Sequence, residues 1–284
     1  MVVGSMTYET RRVEALDYFP CRYGTSRNGF RGPKRSMEGD YIAFLGGTDT
    51  YGRFIPRPFP ALVEDRIGMA CVNFGWLNAG VDAFLRDDAV MDAARGARAV
   101  VLQVPGAQNM SNRYYAVHPR RNDRFLKASV LMRRVFPDAD FTEFNFTRHM
   151  LTTLASDAPD RFAILVAEMQ FAWIARVGDL IRQIGRPVVL LWFADHAPGP
   201  VPQGMPASGE PLFVSDEMMA ALTPQPAAQV LVRASGAAMA RRTDGMVFAA
   251  EEAAIAAEVM GPAAHQEAAA ALAPAIEALI GAHR

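Results

Sequence analysis

A threonine and an aspartate follow a double glycine in "YIAFLGGTDTYGRF", residues 41–54, where an apolar run ends abruptly. A Thr48 hydroxyl presented at such a turn is a candidate nucleophile for acyl transfer if a base removes its proton, although its extra methyl crowds the approach. The same residues satisfy a simpler reading, in which glycine permits the turn and Thr or Asp caps the helix that follows. A base is on offer in "WFADHAPG", where Asp195 and His196 come just after another apolar run. Imidazole carries protons near neutral pH. Neighbours on an extended segment point to opposite sides, so Asp195 is not expected to orient His196 and also reads as a turn former. His265, in "MGPAAHQEA", is a second candidate base, with a capping or surface role as its alternative.

A different chemistry is suggested by "CRYGTSRNGFRGPKRS", residues 21–36, which holds Arg22, Arg27, Arg31, Lys34 and Arg35 and no acid. Arg53 and Arg57 follow on the far side of the Gly-Gly turn. Guanidinium groups bind phosphate, sulfate or carboxylate in bidentate fashion, so Arg22, Arg27, Arg31, Arg53 and Arg57 are candidate anion ligands. A solvated basic loop is the alternative. The theme returns in "SNRYYAVHPRRNDRF", residues 111–125, which suits a lid over a crevice or a subunit contact in a homo-oligomer.

The elements that must position these groups are read from apolar runs. "YIAFLG", "MACVNFG", "AVVLQVPG", "PVVLLWF" and "AQVLVRA" are nearly continuous in hydrophobicity, as expected of strands covered on both faces of a parallel sheet. Between them, "FPALVEDRIG", "VDAFLRDDAVMDAARG" and "RFAILVAEMQFAWIARVGDLIRQIG" show helical spacing and end in glycine. The pattern predicts an α/β, doubly wound, mostly parallel five-stranded sheet flanked by helices, preceded by a basic arm over residues 1–40. A mostly helical insertion is expected over about 120–186, and two closing helices split at "GP", residues 261–262. Loops after the carboxyl ends of such strands form the ligand crevice.

With 284 residues and 51% hydrophobic composition, the chain can bury one large core. Its formal net charge of −1 gives no global attraction to nucleic acid or to an anionic membrane. No apolar stretch approaches a membrane span, the start lacks the order of a secretion signal, and a cytoplasmic location is expected. Cys21 and Cys71 read as reduced thiols, and with two cysteines no Cys-rich metal site is expected. Neither a phosphate loop nor a Gly-x-Gly-x-x-Gly fingerprint is present, and no cofactor is expected.

The segment "FLGGTDTYG" resembles the first block of the SGNH/GDSL hydrolase superfamily, a strand running into Gly-Asp-Ser. Gly46 falls on the family glycine, Gly47 on its aspartate and Thr48 on its nucleophilic serine. "VNFGWLNAG" is similar to the second block, with Gly75 and Gly80 as the candidate oxyanion amides. "VVLQVPGAQN" is similar to the third, where Gln108 stands at the family asparagine and Asn109 one position later; either amide can donate to developing negative charge. The family's Asp-x-x-His falls on "DGMVF", where Val247 replaces the histidine. The resemblance implies a flavodoxin-like sheet and acyl or ester chemistry, hydrolase or acyltransferase, on a hydroxylated and conceivably anionic small molecule. Thr48 would be the nucleophile or a hydroxyl that positions the substrate, and His196, next to Asp195, or His265 would be the base. A scaffold that binds an anionic glycan, nucleotide or partner without cleaving it, and a group transferase of surface-polysaccharide assembly, are the alternatives.

Overall fold

The computed structural model describes residues 16–201, 204–206 and 209–281. Five strands, β1 (Tyr41–Gly46), β2 (Ala70–Gly75), β3 (Ala99–Gln103), β6 (Val188–Ala194) and β7 (Ala228–Arg233), form one sheet in the order β2-β1-β3-β6-β7. Every pairing in it is parallel. Between β3 and β6 stand β4 (Tyr115–His118) and β5 (Arg121–Ala128), an antiparallel pair outside that sheet. The chain after β1 moves to β2 on one side, and β3 then returns to β1's other edge. The order of winding therefore reverses between β1 and β3, which opens a crevice at their carboxyl ends.

Continuous hydrophobicity in β1, β3 and β6 reflects two covered faces, whereas the edge strand β7, expected to be covered likewise, exposes Gln229, Leu231 and Arg233. Ala43, Leu45, Val100, Leu102, Leu190 and Trp192 enter one core, packed with Phe84, Met91, Trp173 and Leu180. Ile42, Phe44, Val101, Val189, Leu191 and Phe193 enter the other, against Phe59, Val63, Ala268 and Leu272. The first face is covered by helices Val81–Leu85, Asp88–Gly96 and Pro159–Ile184 and the second by Phe59–Ile67 and Pro262–Gly281. The long helix starts on proline and stops at Gly185 in the left-handed region, with φ 63. The last helix starts at Pro262, where the sequence places it.

The insertion departs from expectation at its beginning. Residues 115–128 form the β4–β5 hairpin rather than a lid loop running into helix, and the helices Val130–Val135 and Thr147–Asp157 come only afterwards. The hairpin is fastened by fully buried Asn122, whose Oδ1 accepts the N–H groups of Gly80 and Ala83 at the start of helix Val81–Leu85. Tyr115 Oη donates to the Gln108 carbonyl at 2.6 Å. Of the predicted basic arm, residues 1–15 lie outside the described part. Among the described residues no helix is long and apolar enough to cross a membrane.

Candidate active site

After β1 the chain turns through Gly46 and Gly47 into the short helix Thr48–Tyr51, which Gly52 closes at φ 76. Gln103, at the end of β3, ties this turn down: its Oε1 accepts both the N–H and the hydroxyl of buried Thr50. Thr48 stands at the surface of the turn, and its Oγ1 has two hydrogen-bond contacts, both with Asn78. Asn78 N–H donates to it at 3.1 Å and Asn78 Oδ1 lies at 3.2 Å. Among the described residues no imidazole hydrogen-bonds to Thr48.

Asn78 adopts φ 55, a left-handed conformation that asparagine tolerates better than most side chains. It joins three loops. Besides Thr48, its carbonyl accepts Asn109 Nδ2 at 3.2 Å and its own Nδ2 donates to Asp123 of the hairpin at 3.3 Å. Asn109 Oδ1 in turn accepts the Thr147 hydroxyl at 2.9 Å. Gln108 Nε2 donates to Glu210 at 2.6 Å, while its buried Oε1 has no partner.

A pocket of about 550 Å3 opens at this place, with Thr48, Asp49, Gln108, Asn109, Asp195 and Arg242 among its walls. Two carboxyl groups in it have opposite proton affinities. Burial pushes the Asp49 carboxyl above its ordinary value, against hydrogen bonds from Met260 N–H at 3.0 Å and Gln103 Nε2 at 3.4 Å. Asp195 is held below the usual range: burial opposes this, but hydrogen bonds from His196 and Arg242 outweigh it. Such a split sets a carboxyl poised to exchange a proton, Asp49, beside one held as a fixed negative charge, Asp195.

Asp195 does orient His196, contrary to the strand-alternation argument. β6 ends at Ala194 and the chain bends at Asp195 and His196, so the two side chains meet with Oδ1 and Nδ1 2.9 Å apart. Asp195 Oδ2 accepts Arg242 Nη2 at 3.0 Å. Asp195 lines the pocket; His196 stands behind it, its carbonyl bonded to Trp192 Nε1 at 2.8 Å.

His265 is brought to neither Thr48 nor the pocket. It is fully buried in the second core, stacked on Phe59 and set edge-on to Phe193, and its Nδ1 accepts Phe59 N–H at 3.0 Å. Burial, with the nearby Arg31 charge, lowers its pKa to about 3. The folded chain thus keeps His265 neutral while the unfolded chain protonates it below about pH 6.5. Stability should therefore fall as pH drops from 6.5 towards 3, by up to about 1.4 kcal/mol per pH unit. In urea unfolding between pH 4 and 7, His265→Asn, which can still accept from Phe59, should show a shallower slope than the parent chain. Equal slopes would refute the assignment.

Gly75 and Gly80 are glycines for a reason other than anion binding. A Cβ on Gly75 would strike the backbone of Thr50 and Tyr51, and one on Gly80 the Asn109 carbonyl. Their N–H groups are occupied by Asn73 Oδ1 at 2.8 Å and Asn122 Oδ1 at 2.9 Å, so neither is an open oxyanion donor. Close packing of the loops replaces the expected role.

The arginines do not form one surface. Arg31 is buried and donates to the carbonyls of Tyr51, Gly52, Ile55 and Pro56, which makes it a structural clamp rather than an anion ligand. Arg57 pairs with Asp65 and Arg53 with Glu252 at 3.2 Å. Only Arg53 of the five lines the Thr48 pocket; Arg22 is exposed elsewhere, and Arg27 borders a separate groove.

Asp49, Asn78, Arg242, Asp123 and Glu210 belong to the pocket and escape a reading of the sequence. Asp49 carries a signal, an acid directly after the candidate hydroxyl at a strand end. The others come from loops whose approach no local pattern records.

Fold and pocket together define a doubly wound α/β protein with a polar site at the β1/β3 switch point. The chain belongs to the family described as "Domain of unknown function (DUF6473)", whose profile spans residues 6–280. No curated protein matches it significantly in sequence. Solved structures similar to it include the lipase Lip_vut3 from a goat rumen metagenome, 12% identical, covering 82% of this chain and 97% of that one at a TM-score of 0.41. Another is a carbohydrate acetylesterase family member from Sinorhizobium meliloti, 8% identical, covering 86% and 100% at a TM-score of 0.38.

Proposed function

We propose that the protein is an enzyme of acyl or ester chemistry, a hydrolase or acyltransferase on an SGNH-like scaffold, that works by direct displacement. The observation that carries this reading is one pocket lined by Asp49 and Asp195, whose proton affinities are pushed apart, together with Gln108 and Asn109, each of which has one amide N–H beyond its hydrogen bond to Glu210 or Asn78. Asp49 takes the proton of a water or acceptor hydroxyl as its oxygen attacks the acyl carbonyl. The second N–H of Gln108 Nε2 and of Asn109 Nδ2 meets the developing oxyanion. The ester C–O bond then breaks, and the proton returns from Asp49 to the leaving oxygen. Thr48, turned towards Asn78, positions the substrate rather than attacking it. His196 acts through Asp195 as a positioning residue.

The test is turnover of p-nitrophenyl acetate and of an acetyl thioester, with and without a polyol acceptor. Thr48→Ser should keep most activity and Thr48→Val should lose roughly tenfold, mainly through KM. An acetyl adduct on Thr48 seen by mass spectrometry would replace direct displacement by covalent catalysis. No turnover of either donor would remove the enzyme reading.

A further inference from the structure

A second groove, about 620 Å3, lies beside the hairpin turn, and Arg27, Arg120, Arg121, Arg124, His118 and Trp76 are among its walls. Among the described residues no acidic side chain lines it. That is unusual in a chain where Lys plus Arg number 29 and Asp plus Glu 30. Other arginines here are neutralised: Arg35 by Glu64, Arg113 by Glu168, Arg176 by Asp82. Among the described residues the four groove arginines have no ion pair. Like charges gathered without counter-charge cost stability, and the cost is recovered when an anion arrives.

The groove is held in shape. Trp76 Nε1 donates to the Arg120 carbonyl at 2.9 Å, and His118 Nδ1 accepts the N–H groups of Arg120 and Arg121, both at 3.2 Å. With Nδ1 an acceptor, neutral His118 carries its proton on Nε2 and adds a donor to the cluster. Arg124 is laid over the Phe146 ring at 4.7 Å. A narrower hollow lined by Trp76, Arg121, Arg124, Asn78, Asp123 and Phe146 continues from the groove, and the last three of these also wall the Thr48 pocket. Asp123, which lines the hollow, is hydrogen-bonded to Asn78.

We infer that this groove is a subsite for a phosphate or sulfate group carried by the substrate whose reacting carbonyl enters the Thr48 pocket. Guanidinium forks from Arg27 and Arg121 grip a tetrahedral oxyanion in bidentate fashion, and the hollow between the two sites accommodates the body of the molecule. As a substrate site it rests on the enzyme reading above; as an anion site it stands alone.

Binding is measured by calorimetry on the full chain with inorganic pyrophosphate and with inorganic sulfate at constant ionic strength, acetate serving as the carboxylate control. Saturable binding is expected for either tetrahedral anion, weakened at least tenfold by Arg27→Gln with Arg121→Gln, both exposed positions, and unchanged by Arg22→Gln or Asp49→Asn. No saturable binding, equal affinity for acetate, or unchanged affinity in the double variant would overturn the inference. A saturable response to a mixed-sequence oligonucleotide but to neither small anion would overturn it in favour of nucleic acid. Failure of all acyl donors to turn over, with anion binding intact, would sink the enzyme reading and leave the anion site standing.

Discussion

Asp49→Asn should lower kcat/KM by roughly 10²–10⁴-fold, the usual contribution of a positioned general base. Asp49 is partly exposed as a residue, but its carboxyl is turned inward, bonded to Met260 N–H and Gln103, and raised in proton affinity chiefly by burial. The base form is the ionised one, so kcat/KM should climb with pH and level off only above the ordinary carboxylate range of about 4. The stability effect has the opposite sign. A carboxyl whose folded pKa is raised contributes most below its unfolded pKa and loses that contribution as pH rises through the folded one. Above its raised folded pKa the ionised Asp49 thus weakens the fold, and asparagine relieves that cost. The variant should keep only that residual activity and be no less stable above that pKa, with a melting temperature there equal to or above that of the parent. A variant that keeps its activity, or whose pH profile is unchanged, would take the base role away from Asp49.

Arg31→Met should cost about 3–5 kcal/mol, because each buried acceptor left without a donor costs about 1–3 kcal/mol and the part-buried ones add to it. One guanidinium satisfies four carbonyls in the segment that follows Thr48–Tyr51 and stacks on Tyr18 at 5.2 Å. Methionine fills much of the volume and donates nothing, so four carbonyls lose their donor at once, those of Gly52 and Ile55 in buried bonds. In a chain of this size the melting temperature should fall by roughly 6–15 °C. Arg31→Lys should recover only part of this, because a single ammonium cannot span the four oxygens. Arg57→Gln, which breaks an exposed pair with Asp65, should move stability by less than about 1 kcal/mol. Equal melting temperatures for Arg31→Met and Arg57→Gln, measured calorimetrically, would refute the clamp.

The sheet was legible because its physics is local. Strands sealed on both faces, such as Tyr41–Gly46, must be apolar throughout, and helices that end in left-handed glycine, such as the one before Gly185, announce their stops. The hairpin was not legible. Its turn at Pro119 and Arg120 carries none of the Asn-Gly signals of tight hairpins, and the residues that hold it, Asn122 above all, act on distant N–H groups. The site was half legible. Thr48, Asp195, Gln108 and Asn109 lie at strand ends, where an α/β sheet places its pocket. His265 misled because a helix start near the end of such a chain gives no sign of whether its imidazole faces solvent or core. Arg31 misled because a charge pattern does not say which guanidinium has already found carbonyl partners.

Asn78 draws Thr48, Asn109 and the hairpin's Asp123 together through four hydrogen-bond contacts on one residue. Recognition at the hairpin and chemistry at the β1 turn therefore share a single joint. A ligand that shifts the hairpin pulls on Thr48 with no intervening element to absorb the strain, so substitutions at positions 48, 109 and 123 should be non-additive with one another.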